Sequence, residues 1–216
     1  MNYKRLIRGA CKTIMLVPRK LYYKKMQKRL TNKDFTIIAN NCFGGLVYHN
    51  LNSKFLSPTI NLFISDVYFI RFVANLKEYL AAELTELHGH DKKYPVGQLE
   101  YNGETVRIDF MHYHSFEEAK EKWDSRKARI NYDNIYILYV TDGEVTKEKI
   151  DEFESLPYKN KLLITRPNEF ESGCMVTHPI FDSPNYKSGK ILEQKSLFSL
   201  DKYMDDIDYV EFLNKK

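Results

Sequence analysis

The segment Asn134 to Val140 is, after its leading amide, a continuous apolar and aromatic run. Side chains alternate across a strand, so a run without a polar position has two apolar faces. Both must be covered, which is the condition of a strand inside a parallel sheet with helices on either side. A chain of 216 residues is long enough to bury such a sheet without a disulfide or metal staple.

The flanking sequence alternates in the way such a fold requires. Phe35 to Ala39 is a second β-rich run, stopped by Asn40-Asn41 and followed by Gly44-Gly45. Leu46 to Leu51 predicts a short helix, Ser57-Pro58 a turn, and Thr59 to Ile64 another short strand. Ser65-Asp66 opens a predicted long helix over 66–87, where Phe69, Phe72, Val73, Leu76, Leu80, Leu84 and Leu87 recur at steps of three and four. Tyr94-Pro95-Val96-Gly97 is a turn or strand start. Tyr101 to Met111 contains a strand, with Val106, Ile108 and Phe110 alternating against Arg107 and Asp109. Ser115-Phe116-Glu117-Glu118 reads as a capping box, and Thr146 as the cap of a later helix with Val145 stapled on Ile150. Lys161 to Thr165 and Met175 to Phe181 complete the strands, although His178-Pro179 weakens the last. Ser199 to Leu213 reads as an acidic helix. The expected fold is α/β, a mostly parallel sheet covered by helices with an N-terminal basic amphipathic helical arm. The expected units are the arm at 1–33, an α/β core at 34–190 and a C-terminal helix within 191–216, packed on the core.

Charge is unevenly placed. Residues 1–30 hold ten Lys or Arg and no Asp or Glu. The formal net charge is +4, so the remainder, with 23 basic against 29 acidic residues, carries −6. The basic residues of the arm interleave with Leu6, Ile7, Ile14, Leu16, Val17, Leu21 and others. That pattern suits a helix on an anionic membrane surface; it also suits a helix docked on the core by its apolar stripe. Nucleic acid is the weakest of the three partners. Cys11, Cys42 and Cys174 form neither a disulfide framework nor a CxxC zinc motif. No apolar run approaches the ~20 residues of a transmembrane helix, and none reads as a signal peptide. The expected setting is the cytoplasm, peripheral at the inner face of the membrane.

Ligands of α/β sheets sit beyond the carboxyl ends of the strands. Two segments are expected there. In Asn40-Asn41-Cys42-Phe43-Gly44-Gly45, glycines before a helix let backbone N–H groups approach an anion. Cys42 at that helix start is either a nucleophile with a lowered pKa or a small buried residue beside a turn. The amides of Asn40 and Asn41 suit a sugar hydroxyl or a carbonyl. In His112-Tyr113-His114, an imidazole can serve as general acid or base, bind a metal with ligands brought from elsewhere, or stand near the helix cap as a structural group. Arg126, three residues after Trp123, must be paired, with a phosphate or carboxylate ligand or with an acid of the body.

These segments, with Ser57-Pro58-Thr59, Tyr94-Pro95-Val96-Gly97, Trp123, Arg126 and Arg129-Ile130-Asn131, together resemble a bacterial domain-of-unknown-function family. Its members often carry the label exopolysaccharide biosynthesis protein. The resemblance spans residues 34–170 and implies an α/β fold in a setting of capsule, exopolysaccharide or lipopolysaccharide assembly. The function expected from both lines is that of an enzyme, a transferase acting on a sugar-linked or sugar-nucleotide substrate. Cys42 or His112 would do the chemistry, and Asn40, Asn41, Gly44, Gly45, Ser57, Trp123, Arg126 and Arg129 would bind substrate. The alternative is a non-catalytic module that binds glycan or a partner protein in a polysaccharide assembly system. Neither a cofactor nor a metal is indicated; Asp205-Asp206-Ile207-Asp208 lies in the acidic tail and not at a strand end.

Overall fold

A computed structural model describes residues 9–11, 13–141 and 143–215. In chain order the elements are α1 (Leu16–Arg29), β1 (Thr36–Ala39), α2 (Phe43–Asn50), α3 (Asp66–Ala74), α4 (Leu76–Ala81) and β2 (Thr85–Glu86). There follow β3 (Val96–Tyr101), β4 (Glu104–Asp109), α5 (Phe116–Lys127), β5 (Ile135–Val140) and α6 (Lys147–Ser155). The last are β6 (Asn160–Thr165), β7 (Met175–Thr177) and α7 (Tyr209–Asn214).

Strands β1, β5, β6 and β7 form one parallel sheet in the spatial order β1-β5-β6-β7. The α/β expectation and the parallel sheet are thus both present. The two apolar faces of β5 meet two different cores. Tyr136, Leu138 and Val140 join Ile37 and Ala39 of β1 beneath α1, α2 and the C-terminal segment. Ile137 and Tyr139 join Ile38 and Leu163 beneath α3, α4, α5 and α6. The result is a sheet between two layers, which is what a strand with no polar face demands.

A second sheet is antiparallel, in the order β2-β3-β4. Strands β3 and β4 form a hairpin whose two central turn residues, Asn102 and Gly103, have φ of +56° and +77°. Both lie in the left-handed region that a two-residue hairpin turn requires, and Asn-Gly is the pair best able to enter it. The predicted strand within 101–111 is therefore one arm of a hairpin on the second sheet and not a member of the parallel one.

Four predicted elements differ in form. The strand expected over 175–181 ends at Thr177, and Pro179–Asp182 is a 3₁₀ turn. The helix expected over 66–87 breaks at Asn75, whose backbone leaves helical values (φ −122°, ψ 44°) while its side-chain amide donates to the Arg71 carbonyl. The chain then turns, and Thr85–Glu86 pairs with β3. The C-terminal helix expected over 199–213 is a 3₁₀ turn, Tyr203–Asp206, followed by α7, which Asp208 caps by accepting from the Glu211 N–H at 3.0 Å. Thr59 to Ile64 is not a ladder strand. It runs beside the outer edge of β1 and seals it with side chains: Thr59 Oγ1 accepts from the Ala39 N–H at 3.0 Å. The Tyr48 hydroxyl accepts from the Ile37 N–H at 3.0 Å and donates to the Phe35 carbonyl at 2.9 Å. An edge strand with buried N–H groups needs such partners.

Helix α1 docks by Met26, and by Leu30 just beyond its end, while Tyr22 and Tyr23 pack against the same core. Asp205 accepts from the hydroxyls of Tyr23 and Tyr209, both at 2.9 Å, which ties α1 to the C-terminal segment. Arg29 pairs with Asp208. The first eight residues of the arm lie outside the described residues.

Candidate functional site

The chain leaves β1 at Asn40 and enters α2 at Phe43. Asn40 is fully buried, and its amide behaves as an extra peptide unit of the sheet. It donates to the Val140 carbonyl at 2.9 Å and accepts from the Val140 N–H at 3.0 Å. Asn41 faces the other way. Its carbonyl oxygen accepts from the Phe43 N–H at 2.9 Å, which satisfies one of the free donors at the start of α2.

Helix α2 then has two faces. Phe43, Gly44, Val47 and Tyr48 are buried in the core. Cys42, Gly45, Leu46 and His49, at helical spacing on the other side, line a groove of about 700 Å³. Its far wall comes from Phe55, from Asn61 to Phe63, and from Met111 and His112. Ser188, Gly189 and Leu192 close it from the C-terminal segment. The volume lies in the roughly 300–1,000 Å³ range of small-molecule sites. Asn61 sits in the left-handed region at φ +61°, a conformation that asparagine tolerates better than other side chains. A smaller recess of about 250 Å³ shares Asn41, Phe63, Ser188 and Gly189 with the groove and reaches Val140 and Asp66 beyond the end of β5. Asp66 there accepts from the Thr141 hydroxyl and stands 3.9 Å from Lys149 Nζ.

The two loops singled out in the sequence do meet in this groove, by different routes. Asn41, Cys42 and Gly45 arrive from the end of β1. His112 arrives from the end of the hairpin, because the Phe63–Asp109 bridge fastens β4 to the segment beside β1. His112 and His114 are both exposed, in a turn and not on a strand. Between them Tyr113 is buried and donates to the Ile60 carbonyl at 2.9 Å. Ser115 caps α5 by accepting from the Glu118 N–H at 3.2 Å. The Glu118 carboxylate reaches back one residue further than a capping box predicts, to the His114 N–H at 3.1 Å.

Other predicted site residues serve the walls. Gly44 lies against β1: a Cβ there would stand 2.9 Å from Ala39 Cβ and 3.0 Å from Ile37 Cγ2. Its glycine is required by the close approach of helix to strand. Ser57 is buried, its hydroxyl 3.0 Å from that of Thr59 and accepting from the Thr59 N–H at 3.1 Å. Trp123 is buried among Phe72 and Phe110 and is a core residue. Arg129 is exposed in the turn after α5.

Arg126 lacks the acidic partner from the body that was one of its two expected pairings. Among the described residues no carboxylate lies within 4 Å of it. Its guanidinium donates to the Tyr113 hydroxyl at 2.6 Å and sits 5.5 Å from the centre of the Phe55 ring. Tyr113 directly follows the groove-side turn of Met111 and His112, and Phe55 lines the groove itself. Arg126 thus buttresses the wall from behind and is a positioning residue.

Burial pushes the Cys42 thiol up from its ordinary value, the reverse of the lowering expected at a helix start. Cys42 lies in the groove wall. Burial also raises the Tyr113 hydroxyl, with Arg126 opposing. Among the described residues no group of three or more His, Cys, Asp or Glu converges as a metal cluster. The groove is lined by amides, imidazoles, a thiol, a serine, aromatic rings and aliphatic groups; no Asp, Glu, Lys or Arg is among its lining residues. Sequence reasoning missed Phe55, Asn61, Ser188 and Gly189. Two signals were available: a lone amide within the apolar run Thr59–Ile64, and the Ser-Gly pair of a turn.

A Haemophilus influenzae protein named as uncharacterized is 36% identical to this chain over 196 residues, covering 88% of each protein. The model of one family, described as a domain of unknown function (DUF1919), matches residues 14–214, and with nearly the whole fold inside that match the chain belongs to this family.

Proposed function

We propose that the groove beyond β1 binds the sugar portion of a glycan precursor, and that the protein acts on this precursor during bacterial surface-polysaccharide assembly. The observation that carries the reading is the groove's lining. Amides at Asn41 and Asn61 offer donors and acceptors to hydroxyl groups, and Phe55 and Phe63 offer apolar surface to a ring face. A diphosphate would call for fixed cations, which the lining lacks. The ligand is therefore read at its sugar end. His112 and His49 are the groups able to carry a proton during a transfer; burial of the Cys42 thiol favours them over Cys42 as the chemical residue.

A second reading has an observation of its own. Among the described residues neither His49 nor His112 has a side-chain hydrogen bond that would orient it as a base. A general base is usually held by a third group. That favours a module that binds glycan without converting it. Titration calorimetry of the full chain against free sugars and sugar nucleotides tests the shared claim, and a turnover assay on whichever binds separates the two readings. Binding that survives Phe55→Ala and Asn61→Gly unchanged would remove the groove as the site. Binding that depends on them, with no turnover and no effect of His112→Ala beyond affinity, would select the module.

A further inference from the structure

The core-facing stripe of the arm accounts for Met15, Met26 and Leu30, which are buried. A second stripe of the same helical stretch faces away from the protein. Ile14, Val17, Leu21, Lys24 and Lys28 follow one another at steps of three and four, and all are exposed, Val17 to 66%. One side of the helix is therefore apolar at its start and basic at its end, and none of it is used by the fold.

A separate segment adds to this surface. Leu197, Phe198 and Leu200 are exposed, Phe198 to 64%. Arg19 of α1 holds them beside the arm, donating to the carbonyls of Leu197 at 2.9 Å and Ser199 at 3.0 Å. Lys20, Lys24, Lys25 and Lys28 have no carboxylate within 4 Å among the described residues, whereas Arg29 at the end of the helix is paired with Asp208.

We propose that the exposed stripe of α1 and the Leu197–Leu200 segment form one docking surface for an anionic lipid bilayer. The apolar side chains enter the acyl boundary and the four free lysines sit at the head groups. Charge selects this occupant over a second copy of the chain. A second copy would bring four further lysines into the same contact and no carboxylate of this face to neutralise them, whereas an anionic head-group layer neutralises all four. The rest of the chain, at −6, is repelled by an anionic surface, so the arm side is the one that faces it. Leu46 and His49 line both the groove and the recess between α1 and the core, so the docked face adjoins the groove. Docking itself does not depend on what the groove holds.

The test is co-sedimentation of the full chain with neutral phosphatidylcholine vesicles and with vesicles containing phosphatidylglycerol, in the absence of sugar. Each lysine near an anionic surface contributes about fivefold in affinity. Replacing Lys20, Lys24, Lys25 and Lys28 by Gln should lower binding to anionic vesicles about 600-fold. Binding should also fall steeply as salt rises. Phe198→Glu, far from the arm in sequence, should weaken binding at least as much as Val17→Glu. All these positions are exposed, so an unchanged melting temperature is expected throughout. Wild-type binding by Phe198→Glu would overturn the joint surface. Equal binding to neutral vesicles, or a dimer in lipid-free solution that Val17→Glu dissociates, would overturn the bilayer as its occupant. So would failure to bind vesicles together with salt-sensitive binding to single-stranded RNA.

Discussion

The two ends of the parallel sheet are both open, and they are built on opposite principles. At the amino end a cleft of about 810 Å³ is lined by Asn32, Asn134, Asn160, Asn214 and Tyr136, among others. Its polar groups largely answer one another. Asn32 donates to Asn134, to the Tyr136 hydroxyl and to the Leu213 carbonyl, and Asn134 donates back to Asn32. Asn214 accepts from the N–H groups of Thr31 and Asn32 and donates to the Arg29 carbonyl. At the carboxyl end the groove is somewhat smaller, and its imidazoles have no such partners among the described residues. A polar group already bonded within the protein fixes the fold; one left facing an apolar groove is available to a ligand. The larger opening is a seam, sewn by amides, where the stretch before β1 and the end of α7 meet the sheet. The smaller one is the candidate site.

The largest effect belongs to a residue that borders the site without joining it. Asn40→Ala leaves the buried N–H and carbonyl of Val140 without partners and should cost about 3 kcal/mol, read from urea unfolding. If it instead leaves stability intact and lowers ligand affinity, Asn40 is a groove residue. Gly44→Ala comes next, at about 2 kcal/mol, because a methyl group would force α2 away from Ala39 and Ile37. Gly45→Ala meets only ordinary contacts, the nearest at 3.5 Å, and should be milder; equal costs would break the assignment of Gly44 to packing. At the amino end, Asn32→Ala should cost about 1–2 kcal/mol and leave groove binding untouched. A loss of ligand there, at unchanged melting temperature, would reverse the roles of the two ends.

Asn61→Gly sharpens the comparison from the other side. Glycine enters the left-handed region freely, so stability should move by less than about 0.5 kcal/mol. The lost amide should still lower ligand affinity about tenfold. The smallest effect is kinetic. Burial raises the Cys42 thiol, so its thiolate appears only at a higher pH than that of a solvent-exposed thiol. Alkylation of Cys42, followed by peptide mass spectrometry, should therefore accelerate later on an alkaline pH ramp than alkylation of a free cysteine. Rapid modification near neutrality would restore Cys42 as a nucleophile.

Much of the fold was legible because its signals are local. The six-residue apolar run required cover on two faces, and the Ser115 and Thr146 hydroxyls cap the helices they precede in sequence. The hairpin was missed although Asn102-Gly103 announces it, since the apolar alternation before that turn is broken by Gly97 and Gln98. The break at Asn75 was illegible for another reason. The periodicity of 66–87 continues unbroken past it, through α4 and on to Thr85–Glu86, whose pairing with β3 is a tertiary contact. For the site, Asn41, Cys42, Gly45 and His112 were legible as loop residues near strand ends. Arg126 was legible as a cation needing a partner, but that partner is a hydroxyl brought from the turn after the hairpin.

What the sequence by itself determined is what depends on neighbours along the chain: the two-faced central strand, the helix caps and the concentration of positive charge before residue 31. What the tertiary structure decided is the direction each polar side chain takes. Asn40 and Asn41 are adjacent and chemically identical, yet one is a fully buried clamp and the other lines the groove. Both lie in the bend after β1, and the placement of β5, which brings Val140 alongside Asn40, makes one of them an interior clamp while the other faces the groove. That placement rests on contacts a hundred residues apart, whose closure is favourable only when the whole core forms.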